Sequence, residues 1–279
     1  MPATTAPLLP AILGAGGIDW SLGTALLIAL AGMAAGAINA VVGSGSLITF
    51  PTLVGLGLEK IPANITNNTG LVPGSFSAVH GYRRELGGQG ASIRRLAPLS
   101  VAGALLGATL LLALPTSVFD GVVPFLVLLG VVLVAAAPLV QARARRRNAA
   151  LDAAGVARSD RLPVWLLLGV LATGVYGGYF GAGQGVILTG VLGMGIHDDL
   201  RRVNALKNLL SAAANTTALV IFLVVRASAI NWPAAAIIAV ASTLGAQIGS
   251  TFGRRVPQPL LRGLIVVVGL FVSVRLLRS

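Results

Sequence analysis

The sequence predicts an all-α polytopic membrane protein made of two homologous repeats. Three observations predict it. First, 56% of the 279 residues are hydrophobic and 10% are charged, with a mean hydropathy of +0.90, whereas soluble domains carry roughly 25% charged residues. Second, eight apolar runs approach the ~20 residues that cross a bilayer as helix. Third, GSGSLITFPTLVGLG (43–57) aligns without gaps to GAGQGVILTGVLGMG (181–195), with glycines matching at the first, third, thirteenth and fifteenth places. A period this long, with one copy per half, indicates duplication and not a solenoid.

In chain order, residues 1–19 lack a basic n-region and a small-residue cleavage site, so they read as an extramembrane tail and not a signal peptide. Repeat 1 (20–140) holds spans at 21–42, 61–82, 96–115 and 118–140. Repeat 2 (163–279) holds spans at 163–180, 203–225, 232–252 and 259–277. Trp20, Trp165 and Trp232 each open a span, where an indole ring favours the interface. Between the first two spans of each repeat lies a shorter apolar stretch, 47–57 and 186–196, following a glycine-rich break. At 1.5 Å per residue each is about 16 Å long, roughly half a hydrocarbon core.

The basic linker 141–162, with Arg143, Arg145, Arg146, Arg147, Arg158 and Arg161, is the strongest cytoplasmic signal, followed by Arg83, Arg84, Arg94 and Arg95. If the short stretches do not cross, the repeats are parallel and the inside-to-outside tally of Lys and Arg, Lys207 aside, is 13 to 6; Arg254, Arg255 and Arg262 then lie outside. If they cross, the repeats are inverted and the tally is 15 to 4. The inverted arrangement is preferred. Topology also explains the net charge of +12 better than nucleic acid does. With no cysteine, disulfides and thiolate metal sites are excluded, and two separated histidines argue against any metal site. No cofactor is expected.

Polar residues inside spans mark the candidate site. Gly43, Ser44, Gly45 and Ser46 in one repeat, and Gly181, Gly183 and Gln184 in the other, free the backbone so that half-helix N-termini present N–H groups to an anion. Asn64, Asn67 and Asn68 share a helical face, which Asn204, Lys207, Asn208 and Asn215 reproduce. Lys207 is the only Lys or Arg in the middle of an apolar run; a buried cation costs about 2.5–3.5 kcal/mol on translocon scales, so it faces a cavity or a partner. Asn39 and Gln247 read as packing residues, although Asn39 is close enough to the first break to line the same cavity. No Asp or Glu lies deep in a span, which disfavours cation transport and carboxylate proton relays. Amides, hydroxyls, helix N-termini and one ammonium all favour a small anionic substrate.

These segments resemble the sulfite exporter TauE/SafE family, also called the toluene-sulfonate uptake permease family. The resemblance rests on GAINAVVGSGSLITFP (36–51), GVYGGYFGAGQG (174–185), ANITNNTG (63–70) and VNALKN (203–208), and it covers nearly the whole chain. It implies a permease of the cytoplasmic (inner) membrane for sulfite, sulfonates or related carboxylates. Two departures bear on the pocket: GSGS replaces a fuller glycine run, and Gln184 stands in the second motif.

Three functions are weighed. A secondary anion permease uses the duplication, the breaks and Lys207 together. A passive channel or facilitator shares the same residues. An intramembrane serine hydrolase using Ser44 and His80 leaves the second repeat unexplained, so the protein is not read as an enzyme. Small-residue faces serve internal packing or a homodimer, and both stay open.

Overall fold

The computed structural model describes residues 17–155 and 162–252, together with Gly263 and Val266. Apart from those two positions, the span expected at 259–277 lies outside the described residues. So do Arg254, Arg255, Arg262, residues 156–161 of the linker and most of the tail.

All regular structure among the described residues is helical: α1 (Leu22–Val41), α2 (Ser46–Gly55), α3 (Lys60–Gly81), α4 (Gly90–Ala113), α5 (Thr116–Ala153), α6 (Val164–Tyr179), α7 (Gln184–Gly195), α8 (Leu200–Arg226) and α9 (Trp232–Phe252), with a 3₁₀ turn at Ala227–Ala229. Ser21 caps α1 by accepting from the Thr24 N–H at 3.1 Å, and Asp199 caps α8 by accepting from the Arg201 N–H at 2.7 Å. Five of these helices are long and apolar enough to cross a membrane. α3 has the length, with 22 residues, but its asparagines lower its hydropathy. Apolar side chains face outward, among them Leu22, Leu30, Phe125, Leu139 and Val224, as expected of a surface bathed in lipid.

Close glycine contacts set the helix directions. Gly32 lies against Ile238 and Ala241, Gly36 against Ser242, and Gly249 against Ala37, so α1 and α9 are parallel. Gly70 meets Ala235 and Ile238, Gly74 meets Ser242, and Gly81 meets Ser250, which makes α3 parallel to α9 as well. Gly103 meets Leu171 and Gly174, and Gly107 meets Val175 and Tyr179, so α4 runs parallel to α6. Ser100 Oγ donates to the Leu210 carbonyl at 2.9 Å and Gln89 Nε2 to that of Arg202 at 3.1 Å, aligning α8 with α4. The Asn231 N–H donates to Thr66 Oγ1 at 2.9 Å, and Asn215 Nδ2 to Ser75 Oγ at 3.4 Å, which sets α8 antiparallel to α3. The result is two opposed groups: α1, α3 and α9 in one, α4, α6 and α8 in the other.

Because α1 and α3 share a direction, α2 must carry the chain back between them; α7 does the same between α6 and α8. At one end of the molecule, Lys60 pairs with Asp120 at 3.6 Å, joining the start of α3 to the start of α5. At the other end, Asn148 Nδ2 donates to the Asp198 carbonyl at 2.8 Å and Arg202 to the Gly87 carbonyl at 2.9 Å. That end also carries the linker, whose first part is a continuation of α5. At 38 residues, α5 is about 57 Å long and outruns a ~30 Å hydrocarbon core by many turns.

A side chain at Gly107 would meet the α6 backbone at Val175 and Tyr179, whereas one at Gly121 meets nothing within 4 Å. Gly107→Leu should therefore lower the thermal midpoint sharply or prevent folding, as overpacking costs about 1–3 kcal/mol or more. Gly121→Ala should hold or raise it, by about 0.5–1 kcal/mol of helix propensity. Thermal unfolding in detergent measures both.

Candidate functional site

The two glycine breaks have the same backbone structure. At the end of α1, the N–H groups of Val42 and Gly43 both donate to the Ile38 carbonyl, at 2.7 and 3.0 Å. At the end of α6, those of Phe180 and Gly181 both donate to the Tyr176 carbonyl, at 2.9 and 3.0 Å. Gly43 and Gly181 have φ of +90° and +79°, the left-handed conformation that ends a helix and favours glycine. The chain then restarts as α2 at Ser46 and as α7 at Gln184. The breaks touch each other: the Gly185 N–H donates to the Gly43 carbonyl at 3.0 Å. A Cβ on either residue would strike the other's backbone.

A broken helix leaves terminal carbonyls without intrahelical partners. Here each half supplies them to the other. Asn204 and Asn208 of α8 both donate to the Ala40 carbonyl, at 3.1 and 3.2 Å, and Lys207 Nζ donates to that of Asn39 at 2.9 Å. Asn64 of α3 donates to the Tyr179 carbonyl at 3.1 Å. Lys207 is 0% exposed, and its ammonium sits at the C-terminal end of α1, where the helix dipole favours a cation. Asn67 accepts from Thr49 Oγ1 of α2. Asn39 Oδ1 accepts the Gly45 N–H at 2.6 Å, tying the end of α1 to the start of α2.

Between the two helix groups lies a cavity of about 30 Å³, room for a water molecule. Of the residues singled out in the sequence, Gly43, Ser46, Gly181, Gln184, Asn208 and Asn215 line it. Ser44, Gly45, Gly183, Asn64, Asn67, Asn68, Asn204 and Lys207 are not among its lining residues. Asn39, Ser75 and Ser211 also line it, and the last two were not foreseen. Ser211 lies four residues from both Lys207 and Asn215, so helical arithmetic alone places it on their face.

The lining has hydrogen-bonding capacity to spare. Gln184 Nε2 and Ser211 Oγ are buried with no partner among the described residues, as are Ser44 Oγ and Asn68 Oδ1 nearby. Gly177 makes room for the Gln184 amide, which a Cβ there would strike. No carboxylate is among the lining residues. Toward the Lys60–Asp120 end, an aromatic layer covers the breaks: Phe180 packs edge-on against Phe50 with centroids 5.2 Å apart, and Phe119 lies 6.2 Å from Phe180 and 5.7 Å from Tyr179. His80 is exposed at the end of α3, while His197 Nε2 lies 2.9 Å from Asp152 Oδ1.

A family model described as sulfite exporter TauE/SafE matches residues 27–276. A probable membrane transporter protein, ORF9, of Sinorhizobium sp is 26% identical over 254 residues, spanning 89% of this chain and 90% of its own. The probable membrane transporter protein YfcA of Escherichia coli K12 is 29% identical over 248 residues, spanning 88% of this chain and 86% of its own. A probable membrane transporter protein of Haemophilus influenzae is 23% identical over 248 residues. No solved structure matches.

Lys207→Met should leave the Asn39 carbonyl buried and unmet, lowering stability by about 1–3 kcal/mol. Lys207→Arg, which keeps a donor and a charge, should recover part of that loss. Comparison of the thermal midpoints of the two variants checks the capping role.

Proposed function

The chain belongs to the sulfite exporter TauE/SafE family, a family of membrane transporters, and from that premise we propose that it is a secondary permease for small anions of the sulfite, organosulfonate or carboxylate type. The observation that carries this reading is the pair of unpartnered buried groups, Gln184 Nε2 and Ser211 Oγ, at a cavity where two half-helix N-termini meet and no carboxylate lines the wall. Donors gathered in a desolvated pocket, with Lys207 Nζ held on the carbonyl of the lining residue Asn39, favour a negative ligand.

The halves are inverted repeats in this reading. α1 and α6 occupy matching places in the duplication but run in opposite directions, as do α2 and α7, α3 and α8, and α4 and α9. The α7–α8 loop also lies beside the linker, which supports counting α7 as a crossing. By the positive-inside rule that end faces the cytoplasm, and the membrane is the cytoplasmic one.

The bodies that rock are then the two helix groups and not the two halves of the sequence. α9 of the second half packs with α1 and α3, and α4 of the first packs with α6 and α8. The cavity lies between the groups, so sliding them enlarges it for cargo and exposes it to alternate sides. A cavity of about 30 Å³ under an aromatic layer is a closed path, which supports a carrier cycle over an open channel.

Flux of labelled sulfite, 2-aminoethanesulfonate and small carboxylates into proteoliposomes tests the proposal. Gln184→Leu removes a buried donor worth about 1.5–3 kcal/mol to a charged ligand, so flux should fall at least tenfold with the thermal midpoint held. If the unaltered protein carries none of these anions, the reading is wrong.

A further inference from the structure

A second cavity, about 760 Å³, opens at the linker end of the molecule. Its size falls within the range of ligand pockets and far exceeds that of the inner cavity. It is walled by the extension of α5, the α7–α8 loop and the first turn of α8, and it reaches inward to Val41 and Thr189. Only about one helical turn separates it from the inner cavity: Asn204 borders the outer space, Asn208 the inner, and both amides donate to the same Ala40 carbonyl.

The charged groups around this space differ in whether they hold a partner. Three carboxylates and two guanidinium groups line it, yet each carboxylate is already engaged. Asp198 takes both its oxygens to Arg202 Nε, at 2.9 and 2.8 Å. Asp199 caps α8 through the Arg201 N–H at 2.7 Å, and Asp152 lies 2.9 Å from His197 Nε2. The guanidinium groups of Arg145 and Arg201 have no ion-pair or hydrogen-bond partner among the described residues, and both residues are exposed. Arg145 stands on the extension of α5 and Arg201 in the first turn of α8, so two unpaired cations come from different elements of the wall.

We infer that this outer cavity is a binding site for small oxyanions, sulfonates and carboxylates, with Arg145 and Arg201 as the groups that collect them ahead of the inner cavity. Its delivery role rests on the permease reading; its selectivity for anions does not. Arginine suits the task because its planar fork matches the oxygen geometry of these ligands.

The absence of native cysteine allows a direct test. A single cysteine, Ala149→Cys, lies on the cavity wall. Its rates of modification by anionic sulfonatoethyl and cationic trimethylammonioethyl methanethiosulfonate are compared at low salt in purified protein. The anionic-to-cationic ratio should fall about tenfold in Arg145→Ala/Arg201→Ala, as removal of two nearby charges acts oppositely on the two reagents, and the difference should shrink at 1 M salt. Arg143→Ala/Arg146→Ala, off the cavity and equal in charge removed, should leave the ratio near its starting value. An unchanged ratio in the first pair, or an equal fall in both, overturns the inference. If Ala149→Cys does not fold, Gln141→Cys on the same wall is read in the same way. A falling ratio in a protein that moves no sulfite upholds the outer site and overturns the permease reading alone.

Discussion

Breaking a helix inside hydrocarbon leaves backbone groups that lipid cannot satisfy, and the rest of this molecule is organised around that constraint. α1 and α6 each stop at a glycine in the left-handed conformation and restart as half-length helices. The carbonyls they expose are met by side chains of the other half: Asn204, Lys207 and Asn208 for α1, Asn64 for α6. The breaks themselves are joined by a backbone hydrogen bond from Gly185 to Gly43. Each discontinuity is therefore stable only in the presence of its counterpart.

The chemistry of the site follows from what this arrangement leaves over. Once the asparagines and Lys207 have served the carbonyls, the remaining donors at Gln184 and Ser211 face a small space between opposed helix groups. The surroundings of that space differ at its two ends. Aromatic rings packed edge-on lie toward one end, and a large, charge-lined volume opens toward the other.

Much of the fold was legible in the sequence because hydrophobicity and length alone decide a membrane helix. The expected runs 21–42, 61–82 and 232–252 became Leu22–Val41, Lys60–Gly81 and Trp232–Phe252, and the glycine repeat located both breaks. The role of Lys207 was not legible. A lone buried cation suggests either a ligand or a partner, and only three-dimensional structure reveals that its partner is a carbonyl 168 residues away. Ser75 and Ser211 escaped notice because a single serine in an apolar helix carries no signal beyond its register. The extent of α5 needed the structure for a different reason: the charge of QARARRRNAALDA marks topology, but its Ala, Arg, Gln and Leu are also good helix formers, and continuity with the span before it and contacts to the α7–α8 loop hold it in one helix.

The exchange of α4 and α9 between groups bears on how the protein is made. α4 leaves the ribosome before α6, whose backbone will cover its Gly103–Gly107 face, has been synthesised. That small-residue groove must wait in lipid, or against the insertion machinery, until α6 arrives. In a nascent chain truncated at the linker, that groove therefore has no partner helix against which to settle.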